Sequence, residues 1–584
     1  MVTVGERSGA TATTERVTLD PITREVISNG LTSLANEMAV VVVRTAHSQV
    51  VRDSLDFSTA VFDPAGRVVA QGLAIPLHLG AMPDALSKIM DRHAGSILDG
   101  DVFVLNDPDE GGMHLPDIFM FKAVFVDGEI LGWVGCIAHH ADMGGRVAGS
   151  NAVDSREIYA EGLQIPILKL YEAGVENETL SSIIARNVRL PAIVMGDIRA
   201  QLSSINVGER GMRKLVAEHG RDVLTATFDD ILDYTEGIVR AEIARLPDGT
   251  YSFDDYIDDD GFGSGPIRIS ATVEIEGDRL HVDFEGTGGQ VMSALNATTS
   301  FTRASVFAAF LCVTAETEIL NNDGLYRAIT VTVPEGSILN PRRPAPRAAR
   351  GLTGFRVIDA VIGALHKAVP DRCFAAGEGG PTMISIGTVD PDGVSHVFVD
   401  FVCGGWGGRQ TQDGVDAISP IGANLANVPV EQIERDYEII VDEYSFLPDT
   451  GGPGVNRGCL SIVRQLRFLG DWGVLSIRSD RRDHPPYGLD GGLPGHPSLN
   501  ILNPGRPDET LLPTKFTRDI GHGDVLRHVT AGGGGVGIPA GRSAGLIAHD
   551  LKEGKMTEEH ARTVYGFTET SSEDRSSTGP RVHA

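Results

Sequence analysis

Cysteine is scarce and scattered. The five residues Cys136, Cys312, Cys373, Cys403 and Cys459 are odd in number and form no Cys-x-x-Cys pair, so neither a disulfide framework nor a thiolate zinc site is indicated, and the thiols read as reduced. Long apolar runs are missing too. The purest, Ala39 to Val43, falls far short of the ~20 residues that span a bilayer, and the first twenty residues hold no apolar core of a secretory signal. A cytoplasmic location is the expectation. Basic residues are outnumbered, 50 Lys+Arg against 79 Asp+Glu for a net charge of −29; a field of that sign repels phosphate backbones and acidic lipid, so nucleic acid and membrane are excluded as partners. A phosphate-binding Gly-x-x-x-x-Gly-Lys-Ser/Thr string is also lacking, since the Gly554-Lys555 pair is followed by Met556. If ATP takes part, another chain binds it.

What is abundant is glycine, 70 of 584 residues, about 12% where about 7% is usual. It marks turns and close backbone approaches rather than a collagen-like repeat. Asp20 ahead of Pro21 supplies a cap and a first-turn proline, and Val26, Leu31, Leu34, Met38, Val41 and Val42 recur at helical spacing, which predicts a long helix from about Pro21 to His47. Short apolar runs between Asp-Pro, Asp-Gly and Gly-Gly turns predict strands from Phe57 onward, and Leu180 to Leu246 reads as helical. Alternation from Ile267 to Phe284 around Glu276-Gly277-Asp278 predicts a hairpin.

The expected fold is therefore α+β and multi-domain, with mixed sheets, a long N-terminal helix and a β-rich C-terminal half. Its parts are a disordered N-terminus (1–19), an α/β region bearing the metal candidates (20–248), a β-rich region with Gly-rich loops (249–540), a C-terminal helix (541–570) and a disordered tail (571–584).

Several motifs fail on context. Gly532, Gly534 and Gly537 fit Gly-x-Gly-x-x-Gly, but Pro539 follows and too little chain remains for a dinucleotide-binding unit. Gly541-Arg542-Ser543-Ala544-Gly545 matches a nucleophile elbow, yet no apolar strand precedes it, so it reads as a helix N-terminus. The acidic run Asp254, Asp255, Asp258, Asp259 and Asp260 lacks the spacing of a calcium loop and reads as a solvated turn. Arg481 and Arg482 could hold an anionic substrate. His78, within Ile75-Pro76-Leu77-His78-Leu79, reads as a core histidine that could instead line a pocket.

One constellation carries chemistry. His114 and Asp117 lie three apart in a turn shaped by Gly111, Gly112 and Pro116, so both can aim into one cavity, and His139-His140 ends a predicted strand that enters from a second direction. Imidazole with carboxylate suits Mn²⁺, Fe²⁺ or Zn²⁺ and can leave positions open for water or substrate. Adjacent strand residues point to opposite faces, so only one of His139 and His140 is expected to bind directly, and the sequence alone does not choose. Asp56, just past the first helix, is a possible fourth ligand. The competing reading is that these residues merely cap turns.

At these residues the chain resembles the hydantoinase B / acetone carboxylase alpha-subunit family. The resemblance runs from about Asp20 to Phe567, through Asp20-Pro21-Ile22-Thr23, Asp56-Phe57-Ser58, Asn106-Asp107-Pro108, His114-Leu115-Pro116-Asp117, His139-His140-Ala141-Asp142, Gly404-Gly405-Trp406-Gly407 and Gly532 to Gly537. It implies a divalent metal (Mn, Zn or Fe) held by Asp56, His114, Asp117 and His139. His140 and Asp142 stand beside it in catalytic roles, Asp142 as a carboxylate that orients a ligating imidazole.

It further implies an ATP-dependent hydrolase in a hetero-oligomer with a hydantoinase A-like subunit, which holds ATP and Mg. That subunit phosphorylates a small cyclic amide, and metal-bound water attacks the activated carbon. A carboxylase subunit acting on acetone- or acetophenone-type ketones and a non-catalytic scaffold are the alternatives; acetone carboxylase alpha subunits are longer, which favours the hydrolase. Two departures from the family pattern stand out: Val536-Gly537-Ile538-Pro539 replaces an aromatic-Gly-Asp-Pro order, and Asp109-Glu110 stands where an aromatic residue is usual.

Overall fold

A computed structural model describes residues 19–72, 75–314 and 319–568; the expectations of disorder at the two termini fall almost wholly outside these. The Asp20 carboxylate accepts the N–H groups of Ile22 (2.9 Å) and Thr23 (3.1 Å), and with Pro21 in the first turn it starts the helix Pro21–Thr45 where the sequence indicates. The helix stops at Ala46, which turns to extended backbone. By length and hydropathy this helix could cross a membrane, yet its buried stripe, including Ile27, Leu31, Met38 and Val42, packs into a protein core. Gly211 on the helix Pro191–His219 makes room for it, since a Cβ there would sit 2.1 Å from Leu34.

Both helices lie on a seven-stranded sheet built from β1 (Phe57–Phe62), β2 (Val68–Gln71), β3 (Val102–Leu105), β4 (Asp117–Val126), β5 (Glu129–His139), β6 (Leu168–Glu172) and β7 (Val175–Glu176). Their spatial order is β2-β1-β5-β4-β3-β6-β7, antiparallel throughout. Both faces of its central strands β1, β5, β4 and β3 are buried. Along β4, Ile118, Met120 and Val124 join the helical layer, while Phe119, Phe121 and Ala123 join a second core on the opposite face. That two-residue period decides which end-of-strand side chains meet in the site.

The second core is shared with a four-stranded sheet of β8 (Gly249–Ile257), β9 (Ile267–Glu276), β10 (Arg279–Asp283) and β11 (Ile329–Thr332), covered by the helix Arg350–His366. β9 and β10 form the expected hairpin. Two further sheets share a third core through Ile384, Phe398, Ile462, Leu466 and Ile477. One contains β12 (Thr382–Val389), β13 (Ser395–Val402), β16 (Trp472–Arg478) and β19 (Lys515–Gly521). The other contains β14 (Ile439–Leu447), β15 (Ser461–Phe468), β17 (Leu499–Leu502), β18 (Thr510–Leu512) and β20 (Val525–Val529). The α+β class and the mixed sheets thus hold.

Two local readings change. The expected C-terminal helix is two helices, Ala544–Lys552 and Glu558–Tyr565, the first capped by the Ser543 hydroxyl. The acidic run is not a solvated turn: Asp255, Asp258 and Asp260 are buried, Asp255 against Arg356 and Arg481, Asp258 accepting the N–H groups of Arg482, Asp483 and His484 and Asp260 those of Phe262 and Ser264. The late glycine blocks pack on one another, backbone against backbone, as the close approaches expected of them require. A Cβ on Gly534 would lie 1.9 Å from the Tyr487 carbonyl oxygen, and Gly452 donates to Gly533 O at 2.7 Å.

Candidate metal centre

Three adjacent strands deliver side chains to one point. Asp117 at the start of β4 pairs directly with His139 at the end of β5, and Asp56, just before β1, takes the His139 N–H on its carbonyl oxygen at 3.0 Å. Since Phe57 pairs with Ala138, the row Asp56–His139–Asp117 projects to one face, and the next row, Phe57–Ala138–Ile118, projects into the helical layer.

His114 comes from the turn before β4. Gly111 takes φ +106°, and Gly112 fits only because it lacks a Cβ, which would be 2.4 Å from the Asn106 carbonyl oxygen. The Asn106 amide clasps the same turn through Leu115 O (2.7 Å) and Leu163 O (2.9 Å). Asp117 N–H closes it onto His114 O at 3.0 Å.

Ligand atoms of His114, Asp117 and His139 lie within 4.8 Å of one another, and all three residues are buried. His114 Nε2 is 3.1 Å from Asp117 Oδ1. Neither ring nitrogen of His114 or His139, nor Asp117 Oδ1, has a well-directed hydrogen bond. Buried polar atoms are ordinarily satisfied, and here each of the three residues brings an unsatisfied ligand atom to within 4.8 Å of the other two, a ready donor set for a cation. Burial, with the Arg350 charge second, brings His114 down to about 4. Burial, with His114 second, holds His139 well below 6.5. Both imidazoles are therefore neutral, the form that binds metal. Burial opposes ionisation of Asp117, but His114 and Arg350 outweigh it and hold the carboxyl well below 3.8. Two neutral imidazoles and a fixed carboxylate fit Zn²⁺, Mn²⁺ or Fe²⁺.

Asp56 lines the same cavity. Burial, and then the Asp117 charge, pushes its carboxyl up to about 8, and it stands outside the three residues whose ligand atoms lie within 4.8 Å of one another. His78 is a pocket residue, 3.5 Å from Asp56 Oδ1 through Nε2 and 3.2 Å from Ser58 Oγ through Nδ1. Sequence reasoning passed over Arg350 and Arg478, which also line the cavity with Phe301, Phe355 and Phe401. Arg350 donates to Asp117 Oδ2 at 2.5 Å and stacks 4.6 Å over Phe301. Both arginines lie more than 230 residues from the ligand turn in sequence, and no local pattern announces them.

The other expected site residues lie elsewhere. His140 turns to the opposite face, where its Nε2 is 3.1 Å from Gln201 Oε1 in the helical layer. The Asp142 carboxylate is occupied by the Gly144, Gly149 and Arg189 N–H groups and the Arg189 guanidinium, so it fastens the loop after β5 and orients no imidazole of the pocket. Arg481 is buried between Asp255 and Asp359 rather than free for a substrate, and Arg482 pairs with Asp483. Asp109 and Glu110 are met by Arg347 and Arg92.

A sequence model of the family described as Hydantoinase B/oxoprolinase matches residues 20–539. The chain is similar to a D-/L-hydantoinase subunit from Pseudomonas sp. (strain NS671), 32% identical and covering 95% of this chain and 96% of that one. It is also similar to the crystal structure of an ATP-dependent caprolactamase from Pseudomonas jessenii, with a TM-score of 0.88 and 30% identity over 94% of this chain and 96% of that chain. An acetone carboxylase solved free of nucleotide shares the fold at a TM-score of 0.86 and 19% identity, over 94% of this chain and 80% of that one.

Proposed function

The chain belongs to the Hydantoinase B/oxoprolinase family, and on that premise we propose that it is the metal-bearing subunit of an ATP-dependent hydrolase that opens small cyclic amides. The observation that carries the reading is the buried His114–Asp117–His139 cluster, in which each residue offers one unsatisfied ligand atom within 4.8 Å of the other two. His114, Asp117 and His139 would hold a divalent ion with Asp56 as the fourth ligand. The ion would supply Lewis acidity and hydroxide near neutral pH.

The chain's own residues prepare that site. Arg350 grips Asp117 Oδ2, which leaves Oδ1 aimed at the histidines. Ser58 holds His78 beside Asp56, and Phe301, Phe355 and Phe401 give the cavity apolar walls. Amide resonance resists attack, and prior phosphorylation of the amide oxygen lowers that barrier; the ATP for it is assigned to a companion chain. The subunit names and the ATP-dependent activity of the relatives support that division.

The test is to purify the chain with its ATP-binding partner, load it with Mn²⁺ or Zn²⁺, and measure ATP-dependent ring opening of hydantoins, 5-oxoproline and lactams. Absence of turnover across the panel rejects the reading. The likeness to acetone carboxylase calls for one further arm: incorporation of labelled bicarbonate into a ketone would assign the site to carboxylation instead.

A further inference from the structure

Nine cationic side chains are buried among the described residues. Eight of them, Arg350 included, lie within ion-pair distance of a carboxylate. Arg478 is the exception. Only 7% of it is exposed, and its single hydrogen bond among the described residues runs from Nη1 to the Ala348 carbonyl oxygen at 2.7 Å. A guanidinium carries five donors, so most of this fork is unspent. Asp56 and Asp117 attract it from across the pocket, but neither comes within ion-pair distance, so it is the one buried cation among the described residues without a direct carboxylate partner.

Its position says why. Arg478 ends β16, held in register between Met383 of β12 and Lys515 of β19, so a rigid sheet aims it, and it lines the cavity that holds His114, His139 and Asp56. Burial, with the Arg350 charge second, pulls it down to about 10, still fully charged near neutrality. Arg350 is already neutralised by Asp117, and a divalent ion on the ligands would add further positive charge. We propose that Arg478 is the oxyanion seat of this pocket, a fork that receives an anionic group of the bound substrate and gains a direct ion-pair partner when that group arrives. The inference rests on the pocket being the reaction site. Two sources offer the same chemistry: a phosphoryl group carried on an activated amide, or a carboxylate of the substrate itself.

The full chain, loaded with metal and assayed without its partner, is titrated with inorganic phosphate and separately with acetate by calorimetry, alongside Arg478→Met. Wild type is expected to bind one of the two anions, and Arg478→Met to bind it about tenfold or more weakly with unchanged metal content. Preference for phosphate assigns the seat to a phosphoryl group, and preference for acetate assigns it to a substrate carboxylate. Equal binding by variant and wild type, or no binding of either anion by wild type, overturns the proposal. Should Arg478→Met fail to fold, hydrogen exchange of wild type decides. Anion-dependent protection of the segments around Arg478 and Ala348 is expected, and its absence overturns the assignment. The readout is binding, so a failed ring-opening assay with intact Arg478-dependent anion binding would reject the proposed reaction and leave the seat standing.

Discussion

Asp117 faces His139 across the β4–β5 ladder as a direct register pair, while its second oxygen is taken by Arg350 from a helix more than 230 residues away. The sheet sets the spacing of carboxylate and imidazole; the distant arginine sets which way the carboxylate turns. A one-residue slip of β5 against β4 would replace His139 by Ala138 or His140 and point the imidazole into the helical layer. Hydrophobic burial on both faces of the sheet resists that slip, because each strand's apolar residues would exchange cores.

The two adjacent histidines should therefore behave differently. His139→Ala removes a ligand and is expected to abolish stoichiometric metal binding. His140→Ala leaves the pocket intact but strands the buried Gln201 amide oxygen, at a cost of about 1–3 kcal/mol. Elemental analysis beside thermal melting separates the two. Full metal content in His139→Ala, or its loss in a folded His140→Ala, would place the ligand on the wrong residue.

Much of this was legible in the sequence. The first helix, the hairpin at Gly277 and the His114–Asp117 turn each rest on neighbours within a few residues, where caps, alternation and glycine act directly. The strand rule foresaw that His139 and His140 would part, without saying which way. What stayed hidden depends on long-range partners. The solvent exposure expected of Asp255 and Asp258 gave way to burial because Arg356 and Arg481 meet Asp255 and the backbone of Arg482, Asp483 and His484 meets Asp258, all from far along the chain. Arg478 looked like any other strand residue for the same reason.

Arg481 is a structural cation. Its guanidinium meets Asp255 at 2.8 Å and Asp359 at 2.5 Å with only 1% of the side chain exposed, joining β8 to the helix Arg350–His366. Arg481→Met leaves both carboxylates short of charge and is expected to lower stability by about 3–5 kcal/mol, measured by denaturant unfolding. Metal content and KM of the molecules that remain folded should not change. A raised KM at unaltered stability would restore Arg481 to substrate binding.

Glu161 gives the fold a pH dependence of its own. Burial pushes its carboxyl up to about 8 from an ordinary 4.5, against backbone N–H groups of Arg347 and Ala348 that pull the other way. The folded state therefore holds a proton that the unfolded chain releases. The stability linked to this proton is whole below the unfolded value and is lost as pH rises through the folded one. Glu161→Gln keeps an acceptor for the same N–H groups and cannot ionise. The melting temperature of wild type relative to this variant should fall between about pH 5 and about pH 9. A difference that is flat across that range would show that Glu161 ionises in the fold at its ordinary value.

Gly112 offers the sharpest test of how the ligand turn is built. A Cβ there would sit 2.4 Å from the Asn106 carbonyl oxygen and 2.7 Å from its carbonyl carbon. That backbone cannot retreat easily: the Asn106 side chain is tied to Leu115 O and Leu163 O and accepts the Ile165 N–H at 2.6 Å. The clash must be relieved by moving the segment that carries His114, two residues on. Gly112→Ala is thus expected to weaken metal binding along with stability. Gly237, inside the helix Arg221–Ile243 with no atom within 4 Å of where a Cβ would stand, is the matching control. Alanine there should stabilise by roughly 0.5–1 kcal/mol through helix propensity alone and leave the metal untouched. Equal metal content in the two variants, read against the same melting curves, would mean that the turn tolerates a methyl group and that Gly112 does not set the position of His114.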